Sequence, residues 1–341
     1  MSIPYTRLYG IGALPKVLRQ EVGRQKFLAL LNETNFSEEN FHVRGKVVPH
    51  ASVLKLFNAA DMLLARPQQK IAVSSGMTAS DYGPWAAYAL AGTNVEELIS
   101  RAGKTVYLHQ NFGRLSLELA GDNVKWSYWV EGFAPVPLHI EHAILPMVEA
   151  IRSYCGKGWK PVRIELQYRD RRRQIMLEDY FQVPVWMNGS VNSIVFPAED
   201  LARKRDVTLP QGPLPNLELL KHTRRDVANA TCEAVMSAVE GNIFRHRFDL
   251  GSLAETLGMS TRSLQRELNS QGTTYRRILE ETRMQEARRL LAHGTINLTE
   301  TAVQLGYSDL PHFTRAFKRR FDMPPSAYAE LIRNSLNIAG K

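Results

Sequence analysis

Arg262, Gln265 and Arg266 recur at helical spacing, and they are of the types that read base edges. Arginine can clamp guanine O6 and N7, and glutamine can clamp adenine. Leu310, Pro311, Thr314 and Arg315 repeat that spacing later in the chain. An apolar group or a threonine methyl can pack on the thymine methyl, and Arg315 falls where Arg266 does in the first set. Ser260, Arg276, Arg277, Lys318 and Arg319 are nearby candidates for phosphate contacts. The charge supports this placement. Of 43 Lys and Arg and 34 Asp and Glu, residues 241–341 hold 15 and 10, and the other 240 residues hold 28 and 24. A local basic excess attracts phosphate polyanions through counterion release. Taken alone it describes a solvated surface equally well.

Each set sits in the same local layout. Residues 253–268 and 301–317 each open with a short helix carrying an alanine (Ala254, Ala302) and ending at Leu-Gly (Gly258, Gly306). Glycine permits the left-handed backbone that lets two helices meet sharply. Ser260 in the first unit, and Ser308 or Asp309 in the second, can then cap the next helix. Leu264 and Leu268, and Phe313 and Phe317, are spaced to turn inward at i,i+4, which leaves the base-reading candidates outward. This is the helix-turn-helix layout, occurring twice.

Residues 226–333 resemble the DNA-binding domain of the AraC/XylS-type transcriptional regulators. The resemblance is carried by Leu264-Gln-Arg-Glu-Leu268, Ala287-Arg-Arg-Leu-Leu291, Leu305-Gly-Tyr-Ser-Asp309, Phe313-Thr-Arg-Ala-Phe-Lys-Arg-Arg-Phe321 and Pro324-Pro-Ser-Ala-Tyr328; the last three are specific to that family. It implies a long helix, here residues 275–291, that holds two recognition helices for successive major grooves roughly 34 Å apart. Ile278, Thr282 or Met284, Ala287 and Leu291 would form its packed side. Thr301 departs from the family's usual apolar residue, and Asp322 replaces a usual glycine. Aspartate tolerates a left-handed turn. Pro311 is acceptable in a helix's first turn, although neither Leu310 nor Pro311 can hydrogen-bond a base.

The N-terminal half mixes patterns. Helices are expected over residues 13–31, 51–64, 95–102 (capped by Thr93 or Asn94) and 139–155. Strands are expected over 106–109, 115–119, 124–130, 162–168, 183–187 and 193–196. Residues 8–201 resemble the arabinose-binding-type effector domain of one branch of the same family, through Asp81-Tyr-Gly-Pro-Trp-Ala-Ala-Tyr-Ala-Leu90, Val95-Glu-Glu-Leu98 and Phe181-Gln-Val-Pro-Val185 with Asn192-Ser-Ile-Val-Phe196. That resemblance implies effector sensing and self-association, and it transfers no ligand residues. Trp85, Tyr107, Arg114, Trp126, Tyr128 and Arg163 are the effector-pocket candidates, the two arginines as partners for an anionic effector.

The expected organisation has two domains. Residues 1–208 form an α+β effector-binding and dimerisation domain. Residues 209–222 form a linker holding Pro210, Pro213 and Pro215. Residues 223–341 form an all-α domain with two helix-turn-helix units joined by a long helix. The expected function is a sequence-specific regulator of transcription, activating by family habit and controlled by a small molecule. The alternative is a DNA-binding regulator whose N-terminal domain only dimerises or contacts other proteins. Expected partners are double-stranded DNA with promoter half-sites, an effector, RNA polymerase and a second copy of the chain.

Other classes lack support. Cys155 and Cys232 cannot build a disulfide framework or a four-cysteine zinc site. His139-Ile-Glu-His142 has no apparent third ligand, so no metal is expected. Gly10-Ile-Gly12 lacks the context of a dinucleotide fingerprint, so no cofactor is expected and no catalytic constellation is found. Arg169-Asp-Arg-Arg-Arg173 reads as a solvated basic loop. With no signal pattern and no spanning apolar run, a cytoplasmic location is expected.

Overall fold

The computed structural model describes residues 3–43, 45–75, 77–205, 217–293 and 297–339; side chains at 80, 217–229, 244, 293 and 333–339 fall outside the description. The chain divides into two units. One holds residues 4–34 and 38–230, and the other holds 231–341 with the stretches 1–3 and 35–37.

The first unit begins with β1 (Tyr5–Arg7), which pairs antiparallel with β2 (Val47–Pro49). Between them lie α1 (Leu14–Val22) and α2 (Arg24–Glu33). One helix was expected over 13–31. Gly23 breaks it by taking φ +79, a conformation that glycine reaches without a Cβ penalty. Then come α3 (His50–Leu63), α4 (Pro67–Ala72), α5 (Gly83–Leu90) and α6 (Val95–Thr105). Asn94 caps α6, its side chain accepting from the Glu97 amide at 2.8 Å. Residues 106–109 are not the expected strand: Val106–Leu108 is a single 3-10 turn, continuing α6 too tightly for a ladder.

The main sheet contains β3 (Gly113–Ala120), β4 (Asn123–Val130), β5 (Arg163–Leu166), β6 (Val185–Met187) and β7 (Asn192–Pro197), with α7 (Pro137–Cys155) and α8 (Arg171–Phe181) between strands. Strand order is β3-β4-β7-β5-β6; only β5 and β6 run parallel. Side chains alternate across a strand. Val124, Trp126, Tyr128, Ile164, Ile194 and Phe196 share one face and pack against α5, α6, α7 and α8. The opposite face carries ion pairs instead, with Glu165 held by Lys125 at 2.5 Å and Arg163 at 2.8 Å.

The basic run 169–173 is also not a free loop. Asp170 caps α8 through the amides of Arg172 and Arg173. Arg173 is buried and pairs with Glu141 and Asp61. Tyr168 donates to Glu141 at 2.5 Å.

The second unit is helical, with no strand among its described residues: from residue 231 it takes the remainder of α9 (Leu217–Phe244), whose residues 217–230 belong to the first unit, and then α10 (Leu250–Leu257), α11 (Thr261–Ser270), α12 (Tyr275–His293), α13 (Leu298–Gln304), α14 (Leu310–Phe321) and α15 (Pro325–Ala339). The three-proline stretch lies outside the described residues, and α9 begins at Leu217, inside the segment expected to be linker. In α12, Ile278, Thr282, Met284, Ala287 and Leu291 are all buried, so both alternatives at 282 and 284 face inward. Asp322 ends α14 with φ +57, the left-handed turn its small polar side chain tolerates.

Candidate functional site

Two features stand out: a paired exposed face on the helical unit, and a cavity in the α+β unit.

The paired face is built by local chemistry. After α10, Gly258 takes φ +67 and Ser260 caps α11, its Oγ accepting from the Ser263 amide at 3.2 Å. After α13, Gly306 takes φ +75. Asp309, rather than Ser308, caps α14 by accepting from the His312 amide at 2.7 Å. That bond and the Ser308 hydroxyl hold the Asp309 carboxyl below its usual range. Pro311 sits in the first turn, where its missing amide proton costs nothing. Leu264, Leu268, Phe313 and Phe317 are fully buried. Arg262, Gln265 and Arg266 on α11, and Pro311 and Arg315 on α14, are exposed; Leu310 and Thr314 are half-buried. Arg266 and Arg315 each follow the first buried anchor by two residues, so the two faces match position for position.

The phosphate candidates divide. Arg276, Arg277 and Lys318 are exposed, and Lys318 has no ion pair among the described residues. Arg319 is already paired with Glu280, and its neighbour Arg320 with Glu281 at 2.8 Å. The Ser260 hydroxyl is engaged in its cap and in a 2.9 Å bond to the Ser263 hydroxyl. Arg283 was not anticipated from sequence. It lies over the rings of Phe248 (4.7 Å) and Tyr307 (5.2 Å) and donates to the Gly306 carbonyl at 3.3 Å. A Cβ on Gly306 would come within 2.4 Å of the Phe248 ring, so the second turn requires glycine for space as well as for φ.

The cavity measures about 100 Å³. Segments far apart in sequence wall it: β1, α3, α5, the turn after α6, β4 and α7. Of the six pocket candidates, Trp85, Trp126 and Tyr128 line it. Tyr107, Arg114 and Arg163 do not. Tyr107 is exposed on its 3-10 turn. Arg114 is opposite Trp129 in the ladder, on the face away from Tyr128, and pairs with Glu131 at 2.8 Å. Arg163 lies on the outer sheet face, over the Trp186 ring at 4.2 Å. Strand parity explains both arginines: each adjoins a core-facing residue, Leu115 or Ile164, and must point the other way.

The remaining walls include Arg7, Phe57, Tyr82, His109, His139 and His142; the sequence marks His139 and His142 only as an incomplete metal pair and Tyr82 only within a segment of family resemblance, and nothing local marks the other three as pocket residues. His109 stacks on Trp85, with ring centroids 5.2 Å apart and planes 13° apart. His142 lies between the Ser74 hydroxyl at 2.9 Å and the Gly10 carbonyl. A carbonyl only accepts, so Nε2 carries the proton and Nδ1 accepts from Ser74; the ring is neutral. Pro146 has no amide proton for the His142 carbonyl four residues back. The Tyr82 hydroxyl donates to that carbonyl instead, at 3.1 Å. Burial lowers His142 to about 4 and His109 to about 3, and it holds His139 well below its ordinary value. Burial also pushes Tyr128 up to about 12. His139 and His142 therefore share one helix face because that face is core. No metal-ligating cluster occurs among the described residues.

Residues 26–204, just over half the chain, match the family model for the arabinose-binding domain of AraC transcription regulators. The chain belongs to the AraC family of transcription regulators. Residues 253–330 match a helix-turn-helix domain model. Over 106 residues the chain is 32% identical to the HTH-type transcriptional regulator GadX of Escherichia coli, covering 31% of this chain and 38% of that protein. It is 36% identical over 83 residues to the transcriptional activator RhaS of E. coli, covering 24% and 30%. It is 40% identical over 82 residues to the ornithine utilization regulator of Pseudomonas aeruginosa, covering 24% of each. The chain thus spans well under half the length of these relatives. The crystal structure of the regulator CdpR from P. aeruginosa aligns over 81% of this chain and 90% of its own, at 20% identity and a TM-score of 0.38, too loose a likeness to argue from. No described helix is long and apolar enough to cross a membrane.

Proposed function

We propose that this AraC-family protein is a sequence-specific DNA-binding regulator of transcription, controlled by a small molecule in the cavity of its α+β unit. One observation carries the reading: two helix-turn-helix units present exposed faces in which Arg266 and Arg315 occupy matching positions above buried anchors. Arg262, Gln265, Arg266, Thr314 and Arg315 read bases, with Leu310 and Pro311 contributing only apolar contact. Arg276, Arg277 and Lys318 neutralise phosphates. Arg319 plays that part only by leaving Glu280, and Ser260 only by giving up a bond that its cap now uses.

In this proposal residues 1–208 sense the effector and dimerise, residues 209–222 connect, and residues 223–341 bind DNA and present the protein to RNA polymerase as an activator. The effector acts by favouring one of two arrangements, since equal affinity for both shifts nothing. Sequencing of genomic fragments captured by the purified protein tests the DNA reading. Paired half-sites support it, and capture without sequence preference overturns it. Lys318→Ala is expected to weaken cognate and random DNA alike and to reduce the slope of log affinity against log salt by about 1. A loss confined to cognate DNA would reassign Lys318 to base reading.

A further inference from the structure

Arg7 ends β1 in the wall of the cavity, with 8% of its surface exposed. Its Nε donates to the Leu108 carbonyl at 3.0 Å and its Nη1 to the Gly45 carbonyl at 3.3 Å. Its Nη2 is buried with no hydrogen-bond partner among the described residues. No carboxylate answers its charge either: no residue lining the cavity is Asp or Glu, and Arg7 makes no ion pair among the described residues. Trp126 Nε1, in the same walls, is a second buried donor without an acceptor among the described residues. A guanidinium does not deprotonate in a protein. An unpaired buried charge is among the costlier things a fold can carry, and a buried donor without an acceptor adds to that. The Glu141–Arg173–Asp61 group in the same unit shows the usual arrangement, a buried arginine with its carboxylates beside it. Arg7 lacks that complement at the cavity, where an incoming molecule can supply it.

The rest of the site limits what the molecule is. Phe57, Trp85 and Met147 offer apolar surface. A neutral sugar would leave the guanidinium unanswered. A phosphate would bring about two charges to walls that hold, among the described residues, one arginine and no lysine. The volume is comparable with that of engineered apolar cavities of about 150 Å³ that admit benzene, which limits the body to roughly four to six carbons.

We propose that the effector is a small monocarboxylate with a compact apolar body, its carboxylate pairing with Arg7 and its body lying against Phe57, Trp85 and Trp126. This rests on the cavity being the effector site.

The experiment measures thermal stabilisation and calorimetric binding of the full chain with hexanoate and benzoate, each beside its neutral amide, hexanamide and benzamide. A ligand of the native state stabilises in proportion to its affinity. The expected result is that one of the acids binds and its amide binds at least tenfold more weakly, roughly the difference made by a charged hydrogen bond. Arg7→Met should weaken the acid by roughly 10- to 100-fold and leave the amide little changed, with Arg7→Lys in between. The comparison of acid with amide uses the parent protein and so stands even where an Arg7 variant fails to fold. Filling the wall with Ala143→Phe should abolish binding of the acid. Amides that bind as tightly as acids, and are excluded by Ala143→Phe, would overturn the carboxylate assignment and leave the cavity reading intact. Acid binding that survives Ala143→Phe would place the ligand elsewhere and overturn the cavity reading. Failure of both acids and both amides to bind would overturn both.

Discussion

On its cognate operator the Arg266→Ala/Arg315→Ala protein is expected to bind about 2–6 kcal/mol more weakly than the parent, because each bidentate contact contributes about 1–3 kcal/mol of discrimination. That is roughly a 30-fold to more than 10⁴-fold loss. On random DNA the same protein should lose far less, since phosphate contacts carry that binding. Both side chains are exposed and have no hydrogen-bond partner among the described residues, so truncation leaves the buried anchors Leu264, Leu268, Phe313 and Phe317 untouched. An unchanged melting temperature would show that any loss is one of contact. The two residues lie on separate helix-turn-helix units, so their single effects should add. Gel-shift titrations of cognate and random duplexes at one salt concentration check this. Equal losses on both would mean that the two arginines contact the backbone and that bases are read by other residues.

The second large effect is acid unfolding of the α+β unit. Burial lowers His50 to about 4, His142 to about 4 and His109 to about 3, against an ordinary value of 6.5. The folded state therefore holds these rings neutral where the unfolded chain would protonate them. Their contribution is fully present above pH 6.5 and is lost as pH falls from 6.5 toward the folded values of 4 and 3. Each costs about 1.4 kcal/mol per pH unit over that range, or about 2 kcal/mol at pH 5. Three such groups approach the whole stability of a typical domain, about 5–15 kcal/mol. Glu141 works the other way. Burial raises it, so it takes up its proton earlier when folded and returns part of the loss. The expected observation is a steep fall in melting temperature between pH 6.5 and 5. His50→Phe should make that fall shallower by about one proton, because neither His50 nitrogen has a hydrogen-bond partner among the described residues and the ring already packs against Phe133 and His139. A flat profile between pH 7 and 5 would show that the histidines titrate normally and that the cavity region is open to water.

These two predictions draw on parts of the chain that differ in how far they can be read from sequence. The double helix-turn-helix is local. A glycine, a cap and two apolar residues at i,i+4 lie within about sixteen residues of one another, and each acts on its neighbours through backbone geometry and first-turn hydrogen bonds. The inward set and the outward arginines were therefore legible, and even the choice between Ser308 and Asp309 was narrowed to two. Helices α3, α6 and α7 and strands β3 and β4 were legible for the same reason. The misses came where a single residue acts locally or where a neighbour's partner is remote. Gly23 split a helix whose apolar period runs straight through it. The strand expected at 106–109 is a tight turn. The basic run at 169–173 conceals Arg173, whose partners Asp61 and Glu141 lie on α3 and α7.

Two capped helices, each turning two apolar residues inward and an arginine outward, are written in the local sequence, because periodicity and capping are set by residues within a few turns. The cavity, by contrast, exists only in the tertiary structure. That structure brings Arg7, His109, Trp126 and His142 from four distant segments around one space, and it turns Arg114 and Arg163 away. Strand pairing sets which face a side chain takes, and helix packing sets which faces meet. Neither is encoded at any single spacing along the chain.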